Sequence, residues 1–179
     1  AHLRTASADR AVAEDRALFV EAMTAFRAVI SHFSTEEAAA RAAAVVEQPD
    51  DIQALYDLGY AAVEDGIAEI GVLPLWRANR VAPGLRGVVV ELCAALEEAG
   101  QNAAAVQVLR EANLDDFLCG YLLGFNLIGM GDLDAAKRLV PALRPSNDGE
   151  VTMRRRLAHM LERAAACNTP LDDNDLRGW

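Results

Sequence analysis

Val63-Glu64-Asp65-Gly66, Glu97-Glu98-Ala99-Gly100 and Gly129-Met130-Gly131 punctuate the stretch from Ile52 to Arg144. Each triplet or quartet follows apolar residues recurring at three- and four-residue steps, and each precedes an alanine-rich run. Glycine tolerates the left-handed backbone with which helices commonly end, so each final glycine marks a turn between two helices. The three glycines lie 34 and 31 residues apart, a period that stacked helical repeats show. The spacing predicts one helical hairpin written three times, with left-handed backbone at Gly100 and Gly131.

The first hairpin begins at Ile52. Leu55, Leu58, Gly59, Ala62 and Val63 mark its leading helix; Gly71, Leu75 and Ala78 mark the second, which Pro83 closes. The second hairpin, from Arg86, has Val89, Leu92, Cys93 and Leu96, then Ala105, Leu109 and Ala112 beyond Gly100. The third, from Phe117, has Leu123, Gly124 and Leu127, then Asp132 as a natural N-cap, Ala136, Val140 and Leu143. It starts three residues early, which implies a shortened connection around Asn113 and Asp116. Pro74 falls inside an expected helix and predicts a kink or a delayed start, at ~3 kcal/mol if fully interior.

This order of sizes resembles the tetratricopeptide repeat, whose pattern is W-x2-L-G-x2-Y…A-x3-F…P. Leu55 stands at the tryptophan position, Ala62 at the tyrosine, Gly71 at the alanine and Leu75 at the phenylalanine, while Cys93 replaces the small glycine. The resemblance covers Ile52 to about Arg144, and Asp9 to Pro49 in hairpin outline only. It implies an all-α right-handed superhelix of about three to four hairpins with a C-terminal capping helix.

The flanks read as follows. Phe19, Met23, Phe26, Ile30 and Phe33 share one face of a helix over 9–33. Ser34 and Glu37 form a capping-box pattern, and an alanine-rich helix then runs to Glu47, where Pro49 stops it. Pro145-Ser-Asn-Asp-Gly149 is a loop of breakers, followed by a helix over 150–166 with Val151, Leu157, Met160 and Leu161 on one side. The expected organisation is an N-terminal hairpin over 1–49, three repeats over 50–147, a capping helix over 148–167 and a mobile tail over 168–179. A start at Ala1 without methionine, an abrupt end at Trp179 and the lack of a signal-peptide core read as those of a trimmed chain.

Composition narrows the function. Hydrophobic residues make up 53%, much of it alanine, with only 6% aromatic, which suits close helix-on-helix packing. No apolar run is long enough to span a bilayer, so no membrane partner is expected. A formal charge of −10 disfavours nucleic acid, whose phosphates this surface would repel. Cys93, Cys119 and Cys167 are an odd set without CxxC spacing, which argues for a reducing, cytoplasmic location. Of 17 basic residues only Lys137 is lysine, a bias read as that of a GC-rich, bacterial genome.

Catalytic and cofactor constellations are missing from the pattern. His2, His32 and His159 have no partners at metal-ligand spacing, so no metal, no cofactor and no enzymatic activity are expected. Gly124-Phe-Asn-Leu-Ile-Gly-Met-Gly131 lacks the ending of a phosphate loop and reads as close helix packing. Cys93 and Cys119 read as small buried hydrophobes, and Glu97 and Glu98 as a solvated acidic face. The resemblance implies a concave groove built from the leading helices. It would present Gln53, Tyr56, Asp57 and Tyr60, then Val90, Glu91, Ala94 and Glu98, then Leu118, Tyr121, Leu122 and Phe125. Acid beside aromatics suits an apolar or basic segment of a partner protein or peptide. Internal packing of Tyr56 and Tyr121 between hairpins is the competing reading. The rival functions are a regulatory unit sensing a small peptide signal, and a self-associating homo-oligomeric module.

Overall fold

All three predicted turns close in the same way. At Gly66 the backbone turns left-handed (φ 71°), its N–H donates to the Val63 carbonyl, and Ile67 N–H donates to that of Ala62. Gly100 (φ 69°) repeats the pair with Glu97 and Leu96, and Gly131 (φ 78°) with Ile128 and Leu127, the outer donors being Gln101 and Asp132. Two donors from beyond each helix thus satisfy carbonyls that its last turn leaves free. A Cβ built on Gly66 or Gly100 would meet nothing within 4 Å. Backbone angle, not lack of space, requires glycine there.

The computed structural model describes residues 13–25, 27, 36–112 and 115–167, and all the regular structure among them is helical. Helix α1 covers residues 13–25, α2 Glu36–Glu47, α3 Ile52–Glu64, α4 Ala68–Val81 and α5 Arg86–Glu98. Then come α6 Asn102–Ala112, α7 Phe117–Gly129, α8 Leu133–Leu139 continued by a 3-10 turn Val140–Ala142, and α9 Asp148–Cys167. No helix among the described residues is long and apolar enough to cross a membrane. Phe26, Ile30, Phe33, the Ser34 end of the capping box, Asn113 and the expected tail from Asn168 lie outside the described residues. The chain divides into two compact units, residues 1–83 and 84–179.

In the first unit α3 and α4 pack as a hairpin, with α2 against α3. Asp51 caps α3 by accepting from Gln53 and Ala54 N–H. The hairpin crossing is tight because both residues at it lack side chains: a Cβ on Gly71 would lie 2.8 Å from the Gly59 carbonyl oxygen. Leu55, Leu75 and Ala78 are fully buried around it. Pro74 is also buried, and α4 runs through it. The delayed start that a proline suggests does not occur, since α4 begins at Ala68. The helix forgoes the one hydrogen bond that proline cannot donate.

Helix α1 turns Phe19 and Met23 inward and is tied to α4 by charge. Asp15 accepts from Arg77 and Arg80, both at 2.7 Å. Buried Arg77 also donates to Asp50 and lies 5.8 Å over the Phe19 ring. Burial alone would raise the Asp50 carboxyl, but the hydrogen bonds and charges of Arg77 and Arg16 hold it below its ordinary value.

In the second unit α5 packs on α6, α6 on α7 and α7 on α8, while α9 packs on α7 and α8. The twelve-residue step from Gly59 to Gly71 recurs here from Cys93 to Ala105 and from Gly124 to Ala136, all of them buried. Cys93 Sγ lies 3.8 Å from the Ala105 carbonyl oxygen. A Cβ on Gly124 would lie 2.8 Å from Leu157 Cδ2, so this glycine makes room for α9. Asn147 caps α9 by accepting from Glu150 N–H, and the Glu150 carboxylate accepts from Ser146 N–H and Oγ in return. This reciprocal cap starts the helix at Asp148, two residues before the periodicity alone indicates.

Candidate partner-binding site

On α3, Tyr56 and Tyr60 sit one turn apart and stack with centroids 6.0 Å apart. Tyr60 is 43% exposed. Asp57, beside them, accepts from Gln53 Nε2 at 2.7 Å. A cleft of about 350 Å³ opens between this face and α2, lined by Glu37, Arg41, Asp57, Tyr60, Glu64 and Asp65. Arg41 is engaged by Glu37 within α2.

In the second unit, Val90 and Glu91 on α5 are half-buried and Glu98 is exposed. On α7, Tyr121 stacks against Phe117 at 6.5 Å, and Tyr121 and Phe125 pack partly buried against the apolar core of the unit. The expected residues thus group as Tyr56, Asp57 and Tyr60 on one face of α3, and Tyr121 and Phe125 on one face of α7. Another face of α7 lines a cleft of about 800 Å³ that the sequence did not single out, with Phe117, Leu123, Leu139 and Leu143 between Arg110 and Arg144.

The solvated reading of the Glu97–Glu98 pair holds for Glu98 and fails for Glu97. Glu97 is half-buried and accepts from Asn126 Nδ2 of α7 at 2.5 Å. Asn126 is 1% exposed, and Nδ2 also donates to the Leu122 carbonyl, 2.9 Å away. No group among the described residues donates to Asn126 Oδ1. Burial pushes the Glu97 carboxyl up to about 7, the Glu98 charge adding to it and the Asn126 N–H opposing it. Burial likewise pushes the Cys93 thiol up to about 12 and the Cys119 thiol to about 11, so neither supplies a thiolate at neutral pH. The Tyr121 phenol is raised by burial first; Arg156 of α9 opposes the shift and Glu97 reinforces it.

No protein-family model, curated protein or solved structure matches this chain. Its function is read from its own side chains. Among the described residues no three His, Cys, Asp or Glu side chains are grouped to hold a metal ion. What the site offers chemically is hydrogen-bond acceptance, negative charge and aromatic surface. Asn126 was legible in one respect: it is the lone amide in the apolar run Phe117–Gly129.

Proposed function

We propose that this chain is a solenoid of tetratricopeptide type that acts as a non-enzymatic protein-interaction module. Its leading helices take an apolar and basic segment of a partner protein, in a reducing cytoplasm. The observation that carries this reading is the pairing of aromatic surface with acid on those helices. Tyr60 keeps 43% of its surface exposed while stacked on Tyr56 beside Asp57, and Tyr121 and Phe125 share the second unit with Glu97 and Glu98. Partly covered aromatic rings supply most of the energy when a partner completes their burial, and nearby carboxylates favour a basic one. The same acidity, with a net charge of −10, disfavours nucleic acid.

The test uses partners co-purified from the native cell, with affinity measured on the full chain. Binding is expected to weaken as salt rises. Phe125→Ala is expected to cost ~2 kcal/mol of affinity and Glu98→Gln less, with circular dichroism confirming that each variant is folded. A folded Tyr121→Ala/Phe125→Ala variant that binds as well as the wild type overturns the assignment of this face.

A further inference from the structure

The wide cleft beside α7 combines an apolar floor with arginines that no carboxylate answers. Its volume is about 800 Å³, and Phe117 and Leu123 of α7 line it together with Leu139 of α8 and Leu143. The first three are only partly buried, although they pack on the core of the unit. Leu143 is seated against Gly120, where a Cβ would lie 2.5 Å from Leu143 Cδ2, so this glycine lets the 3-10 turn close on α7. That seating places the Leu143 carbonyl to accept from Arg154 Nη1 of α9 at 3.1 Å. Arg154 and Arg144 line a smaller cleft of about 280 Å³, which shares Ala142, Leu143 and Arg144 with the first.

Arg110 of α6 and Arg144 are exposed, and Arg154 is half-buried. Ion pairing in this unit joins Arg86 to Asp116 and Lys137 to Asp134, whereas Arg110, Arg144 and Arg154 have no carboxylate partner among the described residues. Two acids do line the wide cleft, but Asp116 is engaged by Arg86 and caps α7, and Asp115 is exposed to water. No acid among the described residues lines the smaller cleft. The Leu143 carbonyl holds Arg154 by one N–H and leaves the rest of its donor fork open to a ligand. Residues 84–167 carry nine Arg and Lys against eleven Asp and Glu, where residues 1–83 carry seven against thirteen. An anion therefore meets far less repulsion on this unit than the charge of the whole chain implies.

An apolar floor with several separate guanidinium groups is complementary to a chain that alternates apolar side chains with carboxylates. We propose that this cleft docks an acidic, apolar segment of a partner protein. Side chains of the size of leucine or phenylalanine lie over Phe117, Leu123 and Leu139, and carboxylates of the segment meet Arg154, Arg144 and Arg110. A small amphiphilic acid would bring a single carboxylate and leave most of these arginines unanswered. The surface shares no residue with the faces of α3 and α7 assigned above to a basic segment, and it stands or falls without them.

The test titrates a fluorescent peptide with the full chain and reads anisotropy. The probe is a short amidated peptide in which leucine and phenylalanine alternate with glutamate. Saturable binding is expected, weakening as salt rises. The same peptide with glutamine in place of glutamate should bind about tenfold more weakly. Arg110→Glu/Arg144→Glu alters two exposed side chains, so it should stay folded by circular dichroism and lose about a hundredfold. Arg138→Glu/Arg155→Glu makes the same charge change at exposed positions outside the cleft and should bind nearly as the wild type does. Arg154→Gln should cost about tenfold, with Arg154→Lys falling between it and the wild type. No saturable binding, equal binding of the glutamine peptide, or equal losses in the two double variants overturns the site. Decanoate that binds as tightly as the peptide and displaces it overturns the choice of a protein segment and gives the cleft to a small amphiphilic acid.

Discussion

Gly59 and Leu75 meet so closely that a Cβ on Gly59 would lie 2.3 Å from Leu75 Cγ. Both Leu75 methyls would also be within 2.8 Å, so the leucine cannot yield by turning its tip. Gly59→Ala gains about 1 kcal/mol of helix propensity but forces a fully buried side chain to move, at up to ~3 kcal/mol. The expected net loss is about 2 kcal/mol, read by chemical denaturation. Leu75→Ala in the same chain should recover part of it, so that the two changes are less than additive.

Gly100→Ala isolates the other use of glycine. Nothing lies near its missing Cβ, so the cost is that of the left-handed backbone alone, about 1 kcal/mol. Gly100→Asn should cost less, because asparagine tolerates that conformation better. Equal thermal midpoints for wild type and Gly100→Ala would contradict the turn geometry.

Glu97 gives stability a pH dependence of defined sign. Its folded pKa of about 7 lies above the ordinary 4.5, so between those values the folded state binds the proton more tightly than the unfolded chain. Stability therefore falls as pH rises through this window and stays low above it. The upper figure is about 3 kcal/mol, reduced by solvent reaching a half-buried group. Asp50 and Asp116 are shifted downward and act only in more acidic solution. Denaturation at pH 5 and pH 8 should show this slope in wild type and its loss in Glu97→Gln.

Arg77→Met keeps the bulk of the buried side chain and removes its bonds to Asp15 and Asp50. A loss of about 2 kcal/mol is expected. It should be concentrated at α1, so hydrogen exchange over residues 13–25 should quicken while the α3–α4 hairpin stays protected. Unchanged exchange in α1 would show that Phe19 and Met23 hold it without the charges.

The turns were legible because a left-handed helix end leaves a local mark: a glycine seven residues beyond each small crossing residue, Gly59, Cys93 and Gly124. Local signals also fixed α2, α3 and α5 closely. The Ser146–Glu150 cap was equally local and was missed, because the breakers around it masked a helix start. Pro74 does not delay the start of α4, because its burial inside the helix outweighs its preference for a helix end. Glu97 could not be read at all from its neighbours. Its partner lies 29 residues away, and only the helix pairing of α5 with α7 brings the amide to the carboxylate. Tyr56 and Tyr121 remained ambiguous in sequence because an aromatic ring half-covered by its own core serves packing and recognition alike.

Asp15 reaches Arg77 and Arg80 across 62 and 65 positions, whereas α3 and α4 are joined by Asp65, Gly66 and Ile67 alone. Closing the longer loop costs more chain entropy, so the hairpin forms before α1 can dock. On the ribosome the order of synthesis is the reverse. Helix α1 emerges ahead of α4 and must wait for Arg77 and Arg80 with Asp15 unpaired and Phe19 uncovered. That interval, more than the finished fold, is where this chain is open to aggregation or to capture by a chaperone.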